Sequence, residues 1–342
     1  MQLIKQKHLN FSDVNIIPQP SELTSRSEVN LIVSYITKHS KIRFTGIPII
    51  VANLDSTGTI SMSKSLYKYK MFVALHKFYK AMTLIEFFNS DESQYSFYTL
   101  GISDTDFYKL KIVSRQSKIN KICLDTANGY MYSFLDKVKE LRELFPQSII
   151  MAGNVCTPDG VENIIKAGAD IVKCGIANGE LCETKLKTGI GYEQFSVAME
   201  CGQTANELNA LCCSDGGCKS TGDICKALGA GSHIVMLGSL FCGYEQNEGE
   251  WEHEFEIKES VVTGNKVKKR IKVYGMSSKA ANDKYCGGLK NYRTSEGKEV
   301  WMSYKGDICE LAADICGGLS SCCSYTNTKN LENLHKNCIF TL

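Results

Sequence analysis

The chain has 342 residues, 43% apolar and 22% charged, a globular composition long enough for two ordinary domains or one large α/β barrel. Its 39 Lys and Arg against 37 Asp and Glu leave a net charge of +2, which excludes a global attraction to nucleic acid or to an anionic membrane. No apolar run reaches the ~18 residues of a membrane span, and residues 1–10 (MQLIKQKHLN) lack the apolar core of a signal peptide, so the expectation is a soluble, cytoplasmic protein.

Short β-branched apolar runs recur along the chain: 47–52 (IPIIVA), 71–76 (MFVALH), 96–101 (SFYTLG), 121–125 (KICLD), 148–152 (SIIMA), 170–175 (DIVKCG), 210–214 (ALCCS) and 232–237 (SHIVML). They begin about every 25 residues, with one gap of about 40, which is the period of repeated β-α units. The segments between them carry helical periodicity. In 130–145, for example, Phe134, Leu135, Val138, Leu141 and Leu144 share one face. Near-continuous apolar strands suit a parallel sheet covered on both faces, and eight such units close most simply into a (β/α)8 TIM barrel. A doubly wound open sheet is the competitor, but the G-x-G-x-x-G turn of dinucleotide-binding folds is missing.

Two stretches interrupt the repeat within what reads as a single catalytic domain spanning residues 1–342. Residues 243–277 alternate polar and apolar around Thr263-Gly264-Asn265, which predicts a projecting β-hairpin turning there. Residues 291–306 (NYRTSEGKEVWMSYKG) have the composition of a mobile flap. A final helix is expected over 307–316, stopping at Gly317-Gly318.

Sixteen cysteines could suggest a disulfide framework, but a chain of this length needs no staples and its thiols should stay reduced. None are spaced C-x-x-C and the six histidines are scattered, so no zinc site is indicated, and fourteen or fifteen cysteines read as small buried hydrophobes. Cys182 is different. It lies in the glycine-rich polar segment 175–191, just beyond the sixth strand, where a thiolate would be accessible and Lys185 and Lys187 could lower its pKa. No histidine occurs between His76 and His233, which disfavours a papain-like hydrolase and favours attack on an electrophilic ring carbon.

Active sites of barrels lie at the C-terminal ends of the strands, and the polar residues gather there: Asn53, Asp55, His76, Lys77, Asp125, Asn128, Gly153, Asn154, Asp215, Gly216, Gly217, Gly238 and Ser239. The glycines after the seventh and eighth strands read as a phosphate cradle, with plain tight turns as the alternative.

These residues sit in segments that resemble the IMP dehydrogenase/GMP reductase family, and its reductase branch, over almost the whole chain. The matching segments are TSRSEVNL, FTGIPIIVANLDSTGT, ALHKFY, ICLDTANGY, IIMAGNV, LCETKLKTGIGY, SDGGCKSTGDICKALGAG, YGMSSKAA, GGLKNYRTSEGK and DICGGLSS. The regulatory CBS pair common in the dehydrogenases is missing, and the YRTSEGK loop resembles the reductases. The resemblance implies NADPH-dependent reductive deamination of GMP to IMP, with release of ammonia, through a covalent Cys182 thioimidate. Thr184 and Glu296 would move the protons. It further implies substrate contacts at Asp215, Gly216, Gly217, Gly238, Ser239, Gly275, Met276, Ser277, Arg293, Thr294, Ser295 and Gly297. Cofactor contacts would fall at Lys77, Asp125, Thr126, Ala127, Ile176, Ala177 and Tyr292, with Ser25, Arg26, Ser321, Cys322, Cys323 and Ser324 reaching the cofactor across a homotetramer boundary. A monovalent cation, K+, would sit on backbone oxygens of Ala177, Gly179 and Cys182. IMP dehydrogenase-type oxidation is the alternative chemistry, and a divergent paralogue with altered substrate or weak activity is another.

Four residues depart from the family pattern. The loop before the cysteine usually reads Gly-Pro-Gly-Ser, and here it is Ala177-Asn178-Gly179-Glu180. A glutamate in place of the phosphate-binding serine sets like charges together. At ~4 Å and an effective dielectric of about 20 such a pair repels by about 4 kcal/mol, so GMP affinity should fall unless the side chain swings away. Ala177 would be uncomfortable at a positive φ, and Glu183 replaces a threonine beside the nucleophile.

Overall fold

A computed structural model describes residues 7–258 and 261–342. Eight strands form a closed parallel barrel: β1 (Arg43–Val51), β2 (Met71–Ala74), β3 (Ser96–Leu100), β4 (Lys121–Asp125), β5 (Ile149–Val155), β6 (Ile171–Cys174), β7 (Leu211–Asp215) and β8 (Ile234–Leu237). Each pairs with its sequence neighbours, and β8 closes on β1 through Val235–Ile49, Met236–Ile50 and Leu237–Val51. The strands are almost wholly buried, as their apolar runs require. This is the (β/α)8 TIM barrel expected from the repeat.

Helices follow the strands around the outside: α1 (Ile60–Leu66), α2 (Ala81–Phe88), α3 (Asp104–Ser114), α4 (Tyr132–Leu144) and α5 (Pro158–Ala167), then a short α6 (Thr184–Thr188), α7 (Gln194–Glu207) and α8 (Thr221–Gly229). Their starts are written in the sequence. Thr59, Ser103, Thr157 and Ser220 each accept an N-terminal backbone N–H, and Pro158 opens the first turn of α5. On α4, Phe134, Val138 and Leu141 are buried, but Leu144 is exposed because the helix ends there and its last turn leaves the core.

At the N-terminal end of the barrel Asp170, fully buried, accepts from Arg142 Nη2 (2.6 Å) and from the backbone N–H groups of His39 (2.7 Å) and Ile150 (3.1 Å). That end is built for stability, and the opposite rim is free for chemistry.

After β8 the chain leaves the barrel as β9 (Trp251–Lys258) and β10 (Val261–Tyr274), then α9 (Lys279–Tyr285), β11 (Glu299–Ser303) and α10 (Ile308–Tyr325). The register corrects the expected turn. Lys258 pairs with Val261, so Thr263, Gly264 and Asn265 belong to β10, where they bulge opposite Glu256, whose carboxylate accepts from Thr263 Oγ1 (3.0 Å) and Asn265 Nδ2 (3.3 Å). Glu259 and Ser260, inside the predicted hairpin, lie outside the described residues. The segment read as a flap also holds more structure than its composition suggested, because β11 pairs with β10 from Arg270–Ser303 to Tyr274–Glu299.

Gly317-Gly318 does not end the last helix. A Cβ on Gly318 would lie 2.3 Å from Thr221 Cγ2, so the glycine permits α10 to pack closely on α8, and the helix continues to Tyr325. All sixteen cysteines are free. Cys286 is exposed and Cys182, Cys309, Cys316, Cys322 and Cys338 are half-buried, so fewer are core residues than the sequence suggested.

Candidate active site

The β6–α7 connection carries Cys182, the candidate nucleophile. Its course is fixed by side chains that sequence reading left aside. Asn178 Nδ2 donates to Tyr192 O (2.6 Å) and Gln194 Oε1 (2.7 Å), and the fully buried Gln194 in turn donates to Cys174 O and Ser214 Oγ (both 2.9 Å). Ala177 is held at φ +70°, the left-handed region where a Cβ is strained, so the alanine occupies the glycine conformation that the family loop would supply.

Beyond this loop, 181–183 pairs with 296–298. Lys298 N donates to Leu181 O (2.9 Å), Glu183 N donates to Glu296 O (2.7 Å), and Cys182 bridges Gly297. Gly275 and Gly297 make the approach possible, since a Cβ on either would press on backbone within 3.1 Å. The pairing brings three side chains that are far apart in sequence into one line. Cys182 Sγ donates to Thr184 Oγ1 (3.2 Å), and Thr184 Oγ1 donates to Glu296 Oε2 (2.7 Å). Lys185 does not face the thiol as expected, because its ammonium pairs with Glu193 at 2.5 Å, and Lys187 is exposed.

Two cavities meet at this line. The smaller, about 200 Å³, is lined by Cys182, Asp215, Gly216, Gly217, Gly238, Ser239, Gly275, Met276, Ser277 and Glu296, together with Glu180 and Lys219. The larger, about 890 Å³, is lined by Lys77, Asp125, Thr126, Ala127 and Tyr292, and also by Arg293 and Thr294, which were expected against the substrate. Met276, Ser277 and Glu296 line both. Ser295 acts differently: its Oγ accepts from Lys279 N (3.1 Å) and ties the 291–298 segment to the start of α9.

The expected phosphate cradle is partly spoken for. Gly217 N–H donates to Asn178 O (3.0 Å), and the Lys219 and Ser220 N–H groups donate to Asp223 Oδ2 (2.9 and 3.1 Å). Glu180 is exposed at the cavity edge, and Lys219, also exposed, brings a cation to the same wall.

Ser25, Arg26 and the 321–324 group are not at these cavities. Arg26 and Ser321 line a separate shallow pocket between the N-terminal arm and α10, with Ser25 capping the turn beside Arg26. The side chain of Cys323 is fully buried against the core. Ile176 is half-buried on the core. Among the described residues no group of three or more His, Cys, Asp or Glu could hold a metal ion.

Two polar residues at the rim have roles that sequence reading missed. Asp55 Oδ2 accepts from Tyr274 OH (2.6 Å), Tyr285 OH (2.7 Å) and Lys284 Nζ (2.9 Å), pinning β10 and α9 to the barrel. Lys173, inside the barrel, reaches Asp125 Oδ1 at 2.5 Å and Asp215 Oδ2 at 3.3 Å. Its only sequence signal was one charge in an apolar strand.

A barrel whose rim lines up a cysteine thiol, a hydroxyl and a carboxylate between two abutting cavities has the arrangement of an enzyme of covalent group transfer or redox exchange. The IMP dehydrogenase/GMP reductase domain matches residues 8–342, and the chain belongs to that family. It is 41% identical to a GMP reductase of Shewanella pealeana, over 99% of this chain and 96% of that one. It is also 41% identical to a GMP reductase of Onchocerca volvulus, over 97% and 90%. To GMP reductase 2 of Homo sapiens it is 42% identical, over 97% and 93%. Among the described residues no helix is long and apolar enough to cross a membrane.

Proposed function

We propose that this chain is a GMP reductase, converting GMP to IMP by the balance GMP + NADPH + H+ → IMP + NADP+ + NH3. The observation that carries the reading is Glu296, which ends the proton path from Cys182 and lines both cavities. The thiol passes its proton through Thr184 to Glu296, and the sulfur adds to carbon 2 of the purine. The proton then returns along the same path to the exocyclic amine, which leaves as ammonia and gives a Cys182 thioimidate. An amine is a poor leaving group unless protonated, so a donor beside the nucleophile is required.

NADPH suits the larger cavity. Its volume is ample, Lys77 and Arg293 supply positive charge, and the buried Thr99 hydroxyl on its wall has no hydrogen-bond partner among the described residues. When bound, NADPH supplies the hydride that replaces sulfur at carbon 2. Lys77, Asp125, Thr126, Ala127 and Tyr292 would hold it. The grouping of Arg26 with Ser321 away from this cavity supports completion of the cofactor site by a neighbouring subunit of a homotetramer, which sedimentation or light scattering would test. K+ would be held by backbone oxygens of Ala177, Gly179 and Cys182. The left-handed Ala177 keeps the loop's path, and comparing rates in K+ and Na+ tests that site.

Glu180 on the substrate cavity favours one second reading, a purine substrate with less phosphate. Following NADPH absorbance with GMP, with guanosine, and in reverse with IMP plus NAD+, separates the readings. Turnover with GMP alone supports the reductase. Turnover only with IMP and NAD+ overturns it.

A further inference from the structure

We propose that Lys173 is a positioning residue that binds Asp125, in the cofactor cavity, and Asp215, in the substrate cavity, into one ionic unit, so that substrate affinity depends on the charge of a residue that substrate does not touch. The inference rests on the assignment of the two cavities made above. Lys173 touches neither ligand cavity. It lies under both, 2% exposed, in a strand whose other members are Ile171, Val172 and Cys174.

An ammonium in such a place is strongly disfavoured unless carboxylates compensate it. Burial works against the charge, but Asp125 and Asp215 outweigh it and hold Lys173 well on the protonated side, while Asp125 is held ionised against its own burial by Lys173 and by Asn53. The geometry divides the work. Asp125 receives Lys173 on Oδ1 and Asn53 Nδ2 on Oδ2 (3.1 Å). Asp215 receives both Lys173 and Asn154 Nδ2 (2.8 Å) on Oδ2, which leaves Oδ1 for a ligand hydroxyl. Each carboxylate has an amide of its own to orient it, and the two share one cation. Without that cation, two half-buried carboxylates that both contact it would face each other as like charges, which favours protonation of one of them. With Lys173 gone both carboxylates lose a contact that orients them, and a protonated or turned carboxyl is a poorer acceptor for a ligand hydroxyl, so ligand binding on both sides should suffer together.

The test uses the full-length enzyme and initial rates over a grid of GMP and NADPH concentrations, with thermal melting to establish folding. Lys173→Met keeps most of the length of the side chain and removes the charge. It should raise KM for GMP and for NADPH at least tenfold each, with kcat changed by less than threefold. The second variant, Lys173→Met with Asp125→Asn, leaves no like-charge pair in the barrel and serves even where the single variant does not fold. Its GMP KM should lie within threefold of wild type, since Asp215 keeps Asn154, while its NADPH KM stays raised. A folded single variant with either KM within twofold of wild type overturns the proposal. So does a double variant that binds GMP more than tenfold more weakly than wild type, because a merely structural lysine would not be rescued by neutralising Asp125. Wild-type enzyme without GMP turnover would instead sink the reductase assignment, and direct titration of GMP and NADPH into the same variants would still judge Lys173.

Discussion

Thr184 Oγ1 donates to Glu296 Oε2 at 2.7 Å, although 112 positions separate the two residues in the chain. The hydroxyl is thereby committed to the carboxylate as donor and is left to accept from the Cys182 thiol. The three groups form a single path with a direction, and a path should fail as a unit.

Glu296→Gln and Thr184→Val are therefore each expected to lower kcat by about 10²–10³-fold, the ordinary scale of acid–base catalysis, with KM for GMP changed little. The double variant should be no worse than the poorer single one within about threefold, since cutting a path twice costs nothing extra. Steady-state kinetics of the three proteins decides this. Losses that multiply would mean two independent functions.

Much of this was legible in the sequence, and the reasons are physical. Eight buried parallel strands must read as apolar runs, and rim residues must follow them, so the barrel and Cys182 emerged together. Lys173 escaped because a charge in an interior strand is paired only through residues on β4 and β7, which no local pattern connects. Asp55 was placed on the rim, but its three partners come from 219 to 230 positions away. The hairpin turn was misplaced for a different reason. Thr263-Gly264-Asn265 has turn chemistry, and a bulge uses the same left-handed glycine, here at φ +82°. Similarly, Gly317-Gly318 has the composition of a helix stop, but Gly318 serves close packing, which only the neighbouring helix reveals.

Glu180 stands on the wall of the substrate cavity, where three backbone donors of the glycine loop are already engaged. Replacing it by serine removes a negative charge and adds a donor. Glu180→Ser is expected to lower KM for GMP about tenfold at low salt, and to leave that for guanosine unchanged. The advantage should shrink as salt rises, because exposed charges are screened over ~10 Å at 0.1 M. Equal KM values for GMP in the two proteins would show that the carboxylate already swings clear of the phosphate.

Gly318 packs α10 directly on Thr221 of α8. Gly318→Val places branched carbon where 2.3 Å is available, so the helices must separate, at about 1–3 kcal/mol for overpacking. Thermal melting should show a lower Tm. Because α10 also carries Ser321, KM for NADPH should rise more than KM for GMP. A variant that melts like wild type would mean that Thr221 turns aside freely.

His233 supplies a dependence on pH that has nothing to do with catalysis. It is half-buried beside Tyr35, with ring centroids 5.3 Å apart, and its Nδ1 accepts the Cys212 N–H (3.2 Å). Burial is the larger cause, and the nearby His335 the smaller, of a pKa lowered from 6.5 to about 4. The folded protein therefore refuses a proton that the unfolded chain accepts between those values. In that window the unfolded state binds more protons, so stability rises with pH and is lost as pH falls from about 6.5 toward 4. The full loss is about 3 kcal/mol at 1.36 kcal/mol per unit. His233→Gln keeps an acceptor for Cys212 N–H and does not titrate. Its melting temperature should fall less steeply than wild type between pH 6.5 and 4.5, with the two curves parallel above pH 7. Equal slopes throughout would place the acid sensitivity elsewhere.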